Sequence, residues 1–108
     1  MTARILVVDD IEANVRLLED RLTAEYYEVV TAFDGPTALA MAASEKPDII
    51  LLDVMMPGMD GITVCRHLKA DVRTRHIAVI FVTAMADAAD EANGLEAGAV
   101  DYITKPIS

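Results

Sequence analysis

Asp9 and Asp10 end one short apolar run, Ile5-Leu6-Val7-Val8, and Asp53 ends another, Ile49-Ile50-Leu51-Leu52. Charge-free aliphatic runs of this length suit strands buried on both faces of a parallel sheet. If the two strands are parallel neighbours, their carboxyl ends lie on one edge and the three acids share one crevice. Clustered carboxylates repel each other and persist mainly where a cation sits among them. A hard divalent metal is therefore the first chemical expectation. Magnesium suits such a site, because one or two carboxylates plus a substrate phosphate and waters complete its octahedron. A carboxylate is also a competent nucleophile toward phosphorus and can form an aspartyl phosphate. That transfer needs charge stabilisation, which a metal on one side and a lysine ammonium on the other would supply. A hydroxyl such as Thr83 can donate one more hydrogen bond to a phosphoryl oxygen.

Each residue has a plainer reading beside the chemical one. Asp9 and Asp10 could cap the helix that follows them, and Asp53 could cap a turn. Thr83 alone is ordinary strand composition, and Lys105 alone is a solvated side chain. His67 and His76 have no ligand-spaced partner and read as structural or solvent-exposed. Cys65 lies in a helical pattern and reads as a small buried hydrophobe rather than a reactive thiol.

Composition bounds the function. The 108 residues make one domain, 54% hydrophobic and 25% charged, which is a globular balance. One cysteine excludes an internal disulfide framework and fits a reducing cytoplasm. No apolar stretch approaches the ~20 residues that span a bilayer. The first strand follows the N-terminus almost at once, unlike a signal peptide. Nine basic against 18 acidic residues give a net charge of −9. That argues against direct nucleic-acid contact, which needs a basic surface.

The elements that must position these acids alternate strand and helix. Strands are predicted at Arg4 to Val8, Glu28 to Ala32, Ile49 to Leu52, Ala78 to Val82 and Tyr102-Ile103. A helix from about Glu12 to Ala24 places Val15, Leu18 and Leu22 on one face. A second starts at Asp34-Gly35-Pro36, with Asp34 as cap and Pro36 in the first turn, and stops at Lys46-Pro47. Ala38, Leu39 and Ala42 form its apolar face. Pro57, Gly58 and Gly61 mark a loop needing unusual backbone angles. A third helix, roughly Ile62 to Ala70, buries Ile62, Cys65 and Leu68. A fourth, about Ala88 to Glu96, has Leu95 as its main anchor and Gly98 at its C-cap. Strand-helix alternation implies right-handed crossovers and a parallel sheet covered on both faces. In such sheets ligands bind beyond the carboxyl ends of the strands, and Asp9, Asp10, Asp53, Thr83 and Lys105 all fall at such ends.

The order Asp9-Asp10, then Leu51-Leu52-Asp53-Val54-Met55-Met56-Pro57-Gly58-Met59-Asp60-Gly61, then Val82-Thr83-Ala84, then Lys105-Pro106 resembles the receiver domain of two-component response regulators. Coverage runs from Arg4 to Pro106. The stretches around Asp9-Asp10 and Asp53 are similar to the first receiver of PleD-type diguanylate cyclase regulators, whose output domain is absent from this sequence. The resemblance implies a flavodoxin-like (CheY-like) α/β fold with a five-stranded parallel sheet of order 2-1-3-4-5 and helices on both faces. It implies that Asp53 is phosphorylated from a phosphohistidine on a sensor histidine kinase or phosphotransfer protein. Asp9, Asp10, Asp53 and the backbone carbonyl of Met55 would hold Mg2+. Lys105 would contact the phosphoryl group, with a cis bond to Pro106, and Ala84 would supply the small residue beside it. Thr83 would move toward the phosphate and Tyr102 would change rotamer, altering the face around the fourth helix and fifth strand, where a homodimer could form. Met55 and Met85 would flank the path of an attacking water, and neither positions water by a strong hydrogen bond. Slow self-dephosphorylation is the corresponding expectation.

Receivers usually close with a fifth helix after Lys-Pro, whereas this sequence stops at Ser108. The expected consequence is an exposed sheet edge, including Ile103 and Ile107, with the chain read as one receiver domain over residues 1–108 cut from a longer protein, coverage of that edge by another subunit being the alternative. Two other functions compete. A non-phosphorylated interaction module of the same fold would typically lose an acid, the threonine or the lysine, and none is missing. An aspartate-based phosphatase of another α/β family would carry Asp-x-Asp after its first strand, where this chain has adjacent acids.

Overall fold

The computed structural model describes residues 2–83 and 94–104, the side chains of Tyr102 and Thr104 excepted. Expectations that rest on Ala84, Met85, Lys105, Pro106, Ile107 and most of the fourth helix lie outside those residues.

Alternate residues of the first strand, β1 (Arg4–Val8), enter two different cores. Successive side chains on a strand point to opposite faces, so an all-aliphatic strand must be covered on both. Leu6 and Val8 join Ile50 and Leu52 of β3 (Ile49–Leu52) and Val79 and Phe81 of β4 (Ala78–Thr83) on one face. Two helices cover that face: α2 (Gly35–Glu45) through Ala38 and Ala42, and α3 (Gly61–Ala70) through Val64, Cys65 and Leu68. Ile5 and Val7 join Val29 of β2 (Glu28–Ala32) on the other face, under Val15 and Leu18 of α1 (Glu12–Ala24). With β5 (Asp101–Thr104) at one edge, the parallel strands lie in the order β2-β1-β3-β4-β5.

Helix ends follow local chemistry. The Asp34 carboxylate accepts from the Thr37 N–H at 2.8 Å, with Pro36 in the first turn of α2. Lys46 ends α2 in the left-handed region, just before Pro47. At the end of α1, Tyr26 takes a left-handed conformation (φ 68°), and the Tyr27 N–H reaches back to the Leu22 carbonyl. Gly98 (φ 108°) does the same after the helical residues 94–96, where the Ala99 N–H donates to the Gly94 carbonyl.

Three expectations need correction. Leu95 is 46% exposed and does not anchor its helix; Gly94, Ala97 and Ala99 are the buried residues there. Small residues permit close approach to α3, where the Cys65 thiol donates to the Ala97 carbonyl. In α3, Val64 is fully buried and Ile62 only partly so. Of the two loop glycines, Gly58 alone has positive φ (76°); Gly61 serves close packing instead.

Candidate phosphoacceptor and metal site

The register of the sheet fixes where the acids meet. Val8 pairs with Leu52 across β1 and β3, so Asp9 and Asp53 emerge side by side, one residue beyond that pair. The backbone confirms the continuation: the Asp53 N–H donates to the Val8 carbonyl at 3.0 Å, and the Asp9 N–H to the Ala32 carbonyl at 3.3 Å. The chain leaves β1 toward β2 on one side and β3 lies on the other, which makes this junction the topological switch point.

One carboxylate oxygen from each of Asp9, Asp10 and Asp53 lies within 4.8 Å of the others. Asp9 and Asp53 are buried and Asp10 is exposed. Three hard oxygen donors of like charge at this spacing match the demands of a divalent cation such as Mg2+. The donor set therefore fits the metal that the sequence suggests.

Asp10 does not cap α1. Ile11 occupies the N-cap position without a side-chain cap, and Asp9 turns its Oδ1 to the Ile11 N–H at 2.9 Å. One oxygen of Asp9 thus steadies the turn that presents Asp10.

Thr83, fully buried, closes β4 two residues after Phe81, which pairs with Leu52. It therefore stands at the same carboxyl edge as Asp53. Tyr102 pairs with Phe81 in backbone register, on β5. Met55 is 61% exposed beside the crevice, whereas Met56 is buried.

Sequence reasoning missed what holds Asp53 from behind. A Cβ on Gly61 would stand 2.1 Å from the Asp53 carbonyl oxygen, so only glycine lets α3 begin against that backbone. The Gly61 N–H also closes the loop onto the Val54 carbonyl at 2.9 Å. Asp60 caps α3 by accepting from the Thr63 N–H at 2.8 Å. An Asp-Gly pair immediately before an apolar helical pattern is the signal that could have revealed both. Cys65 sits in the core with its thiol pushed up by burial, as expected of an unreactive group. His67 and His76 are exposed and outside this cluster.

Residues 5–108 match the response regulator receiver domain family. The chain is 73% identical over 107 residues to the response regulator PleD of Caulobacter vibrioides, covering 99% of this chain and 24% of that protein. It is 47% identical to the alkaline phosphatase synthesis transcriptional regulatory protein PhoP of Bacillus subtilis, covering 100% of this chain and 44% of that protein. The chain thus spans less than half the length of either relative. Among solved structures, the chemotaxis protein CheY4 of Vibrio cholerae superposes with a TM-score of 0.95 at 29% identity, covering 100% of this chain and 90% of that one. No helix among the described residues is long and apolar enough to cross a membrane.

Proposed function

The chain belongs to the response regulator receiver domain family, and on that premise we propose that Asp53 is its phosphoacceptor. It is a switch poised for aspartate phosphorylation rather than an independent enzyme. An oxygen of the Asp53 carboxylate attacks the phosphorus of a phosphohistidine on a sensor kinase or phosphotransfer protein. The O–P bond forms as the P–N bond breaks, and the imidazole leaves with the electron pair and takes up a proton. Asp9, Asp10, Asp53 and the Met55 backbone carbonyl are the residues that would hold Mg2+. When bound, the ion supplies positive charge opposite the phosphoryl oxygens.

Thr83 donates a hydrogen bond to the phosphoryl group, Lys105 pairs with its charge, and Ala84 leaves room for it. The new charge favours the conformer in which Thr83 has moved and Tyr102 has changed rotamer, which alters the surface at β5 and the helix before it. In this reading the chain is one receiver unit of a longer cytoplasmic regulator, and that surface serves an output domain or a homodimer. A diguanylate cyclase output is the form of regulator the PleD likeness favours.

The gathering of Asp9, Asp10 and Asp53 carries the reading. Incubation with acetyl phosphate and Mg2+ should label the wild-type chain and leave Asp53→Asn unlabelled. Asp10→Asn should need at least about tenfold more Mg2+ for the same labelling. Undiminished labelling of Asp53→Asn would place the phosphoryl group elsewhere. Replacing Met55 by Asn should shorten the phosphoryl half-life by giving an incoming water a hydrogen-bonding partner. An unchanged half-life would remove Met55 from that role.

A further inference from the structure

Basic charge is concentrated in one short segment of this acidic chain. Residues 66–76 hold four of the nine Lys and Arg residues, Arg66, Lys69, Arg73 and Arg75, together with both histidines. Asp71 is the one acid among them, in a chain of net charge −9. The segment is the second half of α3 and the loop after it. It forms one wall of an open groove of about 860 Å3 whose other wall is α2. Leu39, Ala43 and Ser44 line it from α2, and Leu68, Val72 and Arg73 from the basic side. Val72 is 71% exposed, a large aliphatic surface in water.

The four cations are not equivalent. Lys69 is occupied internally: its Nζ donates to the carbonyls of Arg75 at 3.1 Å and Ile77 at 2.6 Å. Arg73 is paired with Asp71 at 2.8 Å. Arg66 and Arg75 are exposed, and neither makes an ion pair among the described residues. Arg66 stands one helical turn before the groove residue Ala70, and Arg75 directly follows the groove residue Thr74. Two uncompensated cations therefore flank a trough with an apolar floor of Leu39, Leu68 and Val72, whose one lining acid, Asp71, is already paired with Arg73, at the end of α3 remote from Gly61 and Asp53.

We propose that this α2–α3 groove docks a short acidic segment of a partner protein, with an apolar side chain against Leu68 and Val72 and carboxylates against Arg66 and Arg75. The acidity of the remaining surface favours this occupant. A long polyanion or an anionic bilayer would meet that surface as well as the patch and be repelled by it, whereas a short segment meets the patch alone. The apolar trough supplies contact area, and the flanking cations supply register and rate of encounter.

The test is fluorescence anisotropy of the whole chain with a labelled 12-residue peptide of Glu, Asp and Leu, beside its counterpart with Gln and Asn in place of the acids. The acidic peptide should bind at least about tenfold more tightly and lose affinity as salt rises. Arg66→Glu combined with Arg75→Glu, and separately Val72→Asp, should each weaken it by about tenfold or more. All three side chains are exposed, so circular dichroism and the Tm should stay near wild type. Should Val72→Asp disturb folding, the arginine pair alone decides the matter. Absence of binding, equal binding of the uncharged peptide, or indifference to the arginine variants would overturn the proposal. So would tighter binding of transfer RNA or of phosphatidylserine vesicles, which would mark the patch as a general polyanion site.

Discussion

The two ends of the same sheet gather charge in opposite ways. At the carboxyl ends of β1 and β3, Asp9, Asp10 and Asp53 crowd three acids together. At the amino ends, Arg4 sits among acids: its guanidinium donates to Glu28 at 2.9 Å and to the Glu45 carbonyl at 2.6 Å, and its backbone N–H donates to Asp48 at 2.8 Å. Both constellations join β1 to its neighbours. The amino end gathers its acids around one cation and ties the N-terminus of β1 to β2, α2 and the residue before β3. The carboxyl end holds like charges together at an energetic cost, which a bound cation offsets. One end serves stability and the other holds a site.

The largest effect is expected at the support of Asp53. Gly61→Ala should force the Asp53 backbone away from α3 and destabilise the chain by about 1–3 kcal/mol, as overpacking does. Phosphorylation should fall with it, read by urea denaturation and acetyl phosphate labelling on the same preparation. Wild-type stability and labelling would mean that the close approach to Asp53 is not needed.

Smaller and opposite effects are expected from charge changes at the two ends. Arg4→Gln should lower the Tm and leave labelling of Asp53 intact. Asp10→Asn should raise the Tm of the metal-free chain by a few degrees, because one of three repelling charges is gone. The same variant should lose most of the stabilisation that Mg2+ gives the wild type. A lower metal-free Tm for Asp10→Asn would make that acid a structural residue.

The smallest effect lies at neither end. Arg73 holds the Asp71 carboxyl down to about 2 from an ordinary 3.8. A depressed carboxylate contributes stability that is fully present above its unfolded value and is lost as pH falls through its folded one. Asp71→Asn should therefore flatten the fall in Tm between those two values and leave neutral pH nearly unchanged, because the pair is exposed. A parallel shift of the whole curve would point to a different role for Asp71.

Much of this was readable from residue order. The aliphatic runs that became β1, β3 and β4 lack charge inside and end on polar groups, so period, length and boundary agree, whereas β2 carries Glu28 and Thr31 and reads less clearly. Asp34 and Pro36 announced the start of α2 by their own chemistry. The placement of Asp9, Asp10, Asp53 and Thr83 at one edge followed from strand alternation alone. What was not readable depended on distance across the chain. Leu95 reads as an anchor by hydropathy, yet the space beside Cys65 admits Ala97 and Ala99 and leaves Leu95 in water. Gly61 reads as a turn glycine, but its role is the 2.1 Å that any Cβ would leave to the Asp53 carbonyl. Thr74 gave no local signal and is buried with its hydroxyl donating to the Leu68 carbonyl at 2.7 Å, closing the end of α3.

The most direct measurement traps the phosphoryl group where it lands. The chain is incubated with acetyl phosphate and Mg2+, reduced with borohydride, digested, and mapped by mass spectrometry. Borohydride converts an aspartyl phosphate to homoserine and leaves a free carboxylate unchanged. Homoserine is expected at position 53, dependent on Mg2+ and absent at positions 9 and 10. Homoserine at position 9 or 10, or a yield indifferent to the metal, would contradict Asp53 as the metal-assisted phosphoacceptor.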